Sequence, residues 1–235
     1  MTWSILAHDR ARGEMGIAVA TKFFAVGALV PHVLPGIGLV ATQALVNPFY
    51  GIDGLARLRD GADAPTALAD LLAADAGRES RQVHMMDAQG RQAGHTGANC
   101  VDWAGHTLQD GFSVAGNMLA GPGVITETAA AFAATRGQPL AERFLAALAA
   151  GEAAGGDKRG RQSAAIRIHT TEPWPILDLR VDDHEDPLGE LRRLHAVSQE
   201  RWAVFRRFMA TRADPAGTTD RAVINAAIEA GLAGR

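Results

Sequence analysis

The sequence predicts an α+β protein, a four-layer αββα sandwich of two mostly antiparallel sheets followed by a helical C-terminal tail. Three observations predict it. Strand-like and helix-like segments come in segregated blocks (strands, two helices, strands, two helices, then strands and helices), an order that argues against alternating βαβ units. The apolar runs of the first third are continuous rather than alternating, as expected for strands covered on both faces. With 235 residues, 47% of them hydrophobic and 21% charged, the chain matches the globular average and is long enough for a large core. A two-layer fold built on a single sheet is the alternative reading of the same pattern. The sandwich is expected over residues 1–195 and a helical extension over 196–235, packing on the core or on a partner.

The elements follow in order. Trp3–Ala7 and Met15–Phe23 read as strands joined by the polar turn at residues 8–14. Ala25–Val33 and Gly36–Gln43 form a second extended pair around Pro35-Gly36, a strong turn signal. In Gly51–Arg59, the residues Ile52, Leu55 and Leu58 recur every third position and share a helix face. Asp63 followed by Pro65 is an N-cap with proline in the first turn, leading into Leu68, Leu71 and Leu72. Gln82–Asp87, Gln92–Thr96, Gly105–Leu108 and Phe112–Asn117 return to strands. The alanine-rich stretches Val124–Ala134 and Leu140–Ala150 make the second helical layer, and Ser163–His169 with Ile176–Val181 the last strands. From Pro187 the pattern is helical, broken at Asp214–Thr219 before a last helix over Asp220–Leu232. The aromatic residues Trp202, Phe205 and Phe208 read as core or dimer contacts.

Composition narrows the function classes. Lys and Arg number 23 against 26 Asp and Glu, a net charge of −3 that gives no electrostatic case for nucleic acid. A single cysteine, Cys100, excludes a disulfide framework and cysteine-rich zinc modules, and with no histidine nearby it reads as a buried thiol. Met1–Arg10 lacks a basic leader followed by an apolar stretch, and no apolar run approaches the roughly 20 residues of a membrane helix. A cytoplasmic chain starting at its initiator is the expectation, with neither nucleic acid nor membrane as partner.

Chemistry then concentrates at a few places. Thr2 follows Met1, and removal of Met1 is expected before so small a residue. The exposed α-amine, with a pKa of about 7.7–8.0, would serve as base for the threonine hydroxyl. Lys22 ends the second strand, where the hairpin is expected to bring it beside Thr2; its charge would lower the pKa of that amine. Alternatively it is a strand-end lysine reaching solvent. The turn from Gly116-Asn117 to Gly123 leads from a strand into a helix, where N–H groups and the Asn117 amide suit a carboxylate or an oxyanion; a purely structural turn is the alternative. Gln43 and Asn47 lie at a strand end before a helix, where polar groups line clefts. In the charged, glycine-rich loop 155–163, either Asp157 orients the nucleophile while Arg159 or Arg161 binds a substrate carboxylate, or the segment is a solvated surface loop. The acidic run Asp182–Asp186 offers metal ligands, but neighbours along an extended segment point to opposite sides, and a cap for the helix after Pro187 is the simpler reading. No metal or cofactor is expected.

Several of these segments together resemble one family. Thr2–Asp9, Ala20–Gly27, Ala41–Ala44 with Asn47–Gly51, Gly94–Gly97 with Asp102–Gly105, Gly116–Pro122, Gly155–Ser163 and Leu179–His184 are similar to the bacterial "domain of unknown function 1028" proteins, over roughly residues 2–195. That family is grouped with the N-terminal-nucleophile hydrolases, so the resemblance implies their αββα sandwich and amide hydrolysis. It implies Thr2 as nucleophile, an oxyanion-hole N–H near Gln43–Leu45, and Asn117, Asp157 and Ser163 as supports. One departure stands out: Thr21-Lys22-Phe23 occupies the second-strand end, where the superfamily usually places an acid. The expected function is therefore amide cleavage in a small molecule or peptide, with a non-catalytic ligand-binding protein of the same fold as the alternative; a homodimer is the expected assembly under either.

Overall fold

The computed structural model describes residues 2–233 and divides into two compact units, one up to Leu191 and one from Arg192 onward. The first begins with the hairpin β1 (Thr2–Asp9) and β2 (Glu14–Thr21), then β3 (Pro31–Leu34), β4 (Gly38–Ala44) and the helices α1 (Phe49–Arg59) and α2 (Ala64–Ala74). Strands β5 (Arg81–Asp87), β6 (Gln92–Thr96), β7 (Gly105–Gln109) and β8 (Phe112–Asn117) precede α3 (Gly123–Ala134) and α4 (Leu140–Ala153). Strands β9 (Ser163–His169) and β10 (Leu177–Val181) lead to α5 (Pro187–Glu200). Asp63 caps α2 as its position predicts, accepting the Thr66 amide at 2.8 Å.

The strands form two antiparallel sheets, of order β10-β9-β2-β1-β8-β7 and β3-β4-β5-β6. The sheets pack face to face through β1, β2 and β8 against β3, β4 and β5. Helices α3 and α4 pack on the larger sheet, α1 and α2 on the smaller. The protein is thus a mixed α+β fold, and two sheets rather than one settle the alternative drawn from the pattern.

Strand periodicity sorts the side chains. Successive residues point to opposite faces, so Trp3 and Ile5 turn toward the helices while Thr2, Ser4 and Leu6 turn toward the second sheet. The layer between the sheets is divided. Around Leu6, Met15, Ile17, Val19, Leu39 and Met86 it is apolar. Around Ser4, Gln43, Gln82, His84 and Asn117 it is polar, although each of these is at most 2% exposed. Helices α1 and α2 close a separate core of Val40, Tyr50, Leu58, Leu68, Val83 and Met85.

One element departs from expectation. The residues after β2 read as a strand, yet Val26–Ala28 form a 3-10 turn, with Ala25 at φ 52° before it. Ser163 on β9 accepts the Val26 amide at 3.1 Å, and the Ala25 amide donates to the Asp182 carbonyl at 2.9 Å. These long-range bonds override the local preference for an extended chain.

The second unit contains α6 (Trp202–Phe205) and α7 (Arg221–Ala233). Val204, Ile224 and Ile228 pack together with Phe208 and Ala227. Asp220 accepts the Ala222 amide at 2.8 Å at the start of α7. No described helix is long and apolar enough to cross a membrane.

Candidate functional site

Thr2 is the first residue of β1, a strand flanked on both sides within the larger sheet. It pairs with Asn117 of β8 on one side, and on the other the register brings Thr21 of β2 opposite it. Its Oγ1 lies 3.1 Å from Thr21 Oγ1, and Thr2 is 7% exposed. Its side chain therefore sits at one end of the gap between the sheets, on the face it shares with Ser4.

A chain of buried side chains holds this end together. Gln43 on β4 reaches across the gap and points its Nε2 at the Thr2 carbonyl (3.3 Å), the Ala115 carbonyl (3.2 Å) and Gln82 Oε1 (2.8 Å). Gln82 Oε1 also accepts Asn117 Nδ2 at 3.0 Å, so one amide oxygen joins the two residues that brace Thr2. Gln82 Nε2 in turn faces the carbonyls of Gly116 and Gly105 and the Thr96 hydroxyl, at 2.8, 3.1 and 2.9 Å.

The proton positions in this chain follow from valence. All three partners of Gln43 Nε2 are acceptors, which leaves Gln43 Oε1 to accept the Ser4 hydroxyl at 2.8 Å. Ser4 has one proton and has given it away. His84 Nε2, 2.8 Å from Ser4 Oγ, must then be the donor to it, and His84 Nδ1 must accept from Ser113 Oγ at 2.8 Å. Both ring nitrogens are used by the neutral tautomer. Burial, with a smaller effect of His106, pushes the His84 pKa down to about 3.

This depression has a stability consequence. An unfolded chain protonates this histidine below about 6.5, whereas the folded protein does so only near 3. Between those values the unfolded state binds the extra proton, so stability falls as pH falls, by about 1 kcal/mol per pH unit. Urea denaturation at pH 7, 6, 5 and 4 is expected to show this decline, and His84→Gln to make it shallower by up to one proton. An unchanged slope in that variant would mean that His84 is not the neutral buried group described.

The family model of a family of unknown function, DUF1028, matches residues 2–191. The chain belongs to this family. The crystal structure of protein SPO2555 from Silicibacter pomeroyi, assigned to the same family, is 33% identical, covers 94% of this chain and 96% of its own, and superimposes with a TM-score of 0.87. Anbu (ancestral beta-subunit) from Yersinia bercovieri is similar at 9% identity and a TM-score of 0.41, over 83% of this chain and 94% of its own. No match is found among the curated proteins.

In this DUF1028 protein the residues singled out from sequence have separate placements. Thr2, Asn117 and Gln43 come together. Asp157 lies one step away: its 5%-exposed carboxylate accepts the Lys22 amide at 2.7 Å and the Arg159 amide at 2.8 Å, and pairs with the Arg159 guanidinium at 3.2 Å. With the Gln162 amide donating to the Thr21 carbonyl at 3.0 Å, loop 155–163 clamps the end of β2. Ser163 acts on the same segment, donating to the Phe23 carbonyl and accepting from Val26.

Lys22 corrects an expectation. The side chain beside Thr2 is Thr21, because strand register puts residue 21 opposite Thr2 and so sends the next residue elsewhere. The exposed Lys22 Nζ donates to the Arg161 carbonyl at 3.0 Å. Arg161 is itself bound to Glu152 and lies 3.7 Å from Asp186. Asn47 Oδ1 accepts the Phe49 amide at 3.1 Å at the start of α1, and its Nδ2 donates to Asp75 at 3.4 Å. The turn after β8 is spent internally: the Met118, Leu119 and Ala120 amides donate to the carbonyls of Val101, Trp103 and Gly156. The Leu45 amide likewise donates to Ser80 at 3.2 Å.

The acidic run disperses as the capping reading predicts. Asp182 pairs with Arg180, Asp183 accepts from Gln162, and Asp186 accepts the Gly189 amide in the first turn of α5. No group of three metal-ligating side chains occurs among the described residues. Burial raises the Cys100 thiol pKa, and its Sγ donates to the Arg81 carbonyl at 3.3 Å. Ser4, Gln82, His84 and Ser113 belong to no motif that the sequence singles out. Their signal is present, since Gln82 and His84 alternate with Val83 and Met85, but alternation alone reads as a strand with one wet face.

Proposed function

We propose that this protein is an N-terminal-nucleophile amidohydrolase of αββα architecture that cleaves an amide in a small molecule or peptide. The observation that carries the reading is the placement of Thr2: first residue of a central strand, side chain at the end of the inter-sheet gap, backbone braced by Asn117 and Gln43, and hydroxyl beside that of Thr21. A nucleophile held from three sides meets the requirement for preorganisation.

With Met1 removed, the Thr2 α-amine takes the proton from Oγ1 as the oxygen bonds to the amide carbon. The C–N bond then breaks, the proton passes to the leaving amine, and water hydrolyses the resulting ester. Asp157 and loop 155–163 hold the end of β2 in place during these steps. A cavity of about 340 Å³ lined by Lys22, Arg161, Gln162, Asp183, His184 and Glu185 lies just beyond the end of β2, and Thr2 is not among its lining residues.

Met1 lies outside the described residues, and its removal is the first test. Intact mass and N-terminal sequencing of the purified protein are expected to find threonine first, and a β-lactone probe to add covalently to that residue. Retained Met1 would defeat the mechanism, because the base would be an amide nitrogen. The second reading, a ligand-binding protein without chemistry, is favoured by the neutral Thr21 at the position where a charged partner was expected. It predicts no adduct.

A further inference from the structure

Three turns meet at the opposite end of the larger sheet: the β1–β2 hairpin, the β7–β8 hairpin and the α3–α4 connection. Seven residues at about 3.3 Å each put Asp9 about 23 Å along β1 from Thr2. A cavity of about 370 Å³ lies there, lined by four arginines (Arg10, Arg12, Arg136 and Arg143) against two aspartates (Asp9 and Asp110), with His8.

The charges are not matched within the protein. The Asp9 carboxylate is shared, 3.3 Å from Arg12 and 3.8 Å from Arg143. Arg136 has no ion pair among the described residues. Arg143 is 9% exposed and lies over the Phe132 ring at 3.9 Å, donating to the Phe132 carbonyl at 3.3 Å, yet its Nε is buried without a partner. His8 Nδ1 is a second buried polar atom without one. Burial lowers the Arg143 pKa, and although Asp9 opposes this, Arg136 and Arg12 add to it by repulsion. Gathering guanidinium groups at a half-buried site is costly unless an anion completes it.

The cavity does not end there. A second one of about 450 Å³ shares Asp110, Phe112 and Arg136 with it and continues over Ile125, Ala129, Ala130 and Ala133. The small α3 residues leave room beside Phe112, so the combined groove has a cationic end and an apolar wall.

We propose that this groove is a binding site, separate from the Thr2 site, for a small acid with a carboxylate or phosphate head and an apolar body. The head sits among Arg10, Arg12, Arg136 and Arg143, where guanidinium forks match either oxyanion. The body lies along Phe112 and the alanine face of α3.

Calorimetric titration of the full chain with hexanoate, hexyl phosphate, inorganic phosphate and hexanol tests this. At least one hexyl acid is expected to bind at least tenfold more tightly than inorganic phosphate, and hexanol not to bind. The stronger of the two acids identifies the head. Arg136→Gln, which breaks no ion pair, is expected to weaken that acid at least fivefold, with the melting temperature little changed. Arg10→Gln provides an independent second variant in the same direction. Absence of binding by both hexyl acids, equal binding of hexanol, or affinity unchanged in both variants would overturn the proposal.

Discussion

Thr2→Ala is expected to abolish both covalent labelling and hydrolysis, lowering the rate by about 10³-fold or more, as removal of a nucleophile does elsewhere. Stability should hardly follow. The substitution removes the hydroxyl contact of Oγ1 to Thr21 Oγ1, worth about 1 kcal/mol, while the backbone pairing with Asn117 persists. Thr2→Ser keeps the nucleophile and is expected to retain labelling. A screened amidase activity that survives in Thr2→Ala would remove Thr2 from the mechanism. A probe adduct that forms on another residue would do the same.

Gln82→Leu is expected to cost about 3 kcal/mol, since it leaves buried polar groups unsatisfied at about 1–3 kcal/mol each. Leucine is close to glutamine in size, so the cost is not a cavity. Gln82 Oε1 accepts from both Gln43 and Asn117, and its Nε2 serves the Gly116 and Gly105 carbonyls. Losing it strands these groups where water does not reach, since Gln82 is 0% exposed. Gln82→Glu fares no better at neutral pH. It would bury a carboxylate and turn an acceptor toward two carbonyls that need a donor. Urea denaturation measures both, and a loss below about 1 kcal/mol for Gln82→Leu would show that the network contributes little. Because Gln43 touches the Thr2 carbonyl, probe labelling of Thr2 is expected to slow in the same variant.

The two variants probe different kinds of information. Thr2 stood out because its chemistry is local: a small hydroxyl residue after Met1 carries its own base. Gln82 and His84 did not stand out, because a polar residue on a strand looks the same whether water or another side chain satisfies it. Lys22 illustrates the reverse error. Its position at a strand end is legible in the sequence, but which side chain faces Thr2 depends on hairpin register, and a shift of one residue exchanges Thr21 for Lys22.

By itself the sequence determined the order and type of nearly every element, the cap of α2, the dispersal of Asp182–Asp186 around the start of α5, and the strands covered on both faces. Those depend on periodicity and on residues near one another in the chain. Only the tertiary structure decided the 3-10 turn after β2, the pairing of Thr2 with Thr21, the amide chain from Asn117 through Gln82 to Gln43, and the arginine-lined groove at the far end of the sheet. Each joins residues from separate elements: Ser4 and His84 are 80 positions apart, Lys22 and Asp157 135. Burying either partner alone costs free energy that only its hydrogen bond to the other offsets, and no single stretch of sequence contains both.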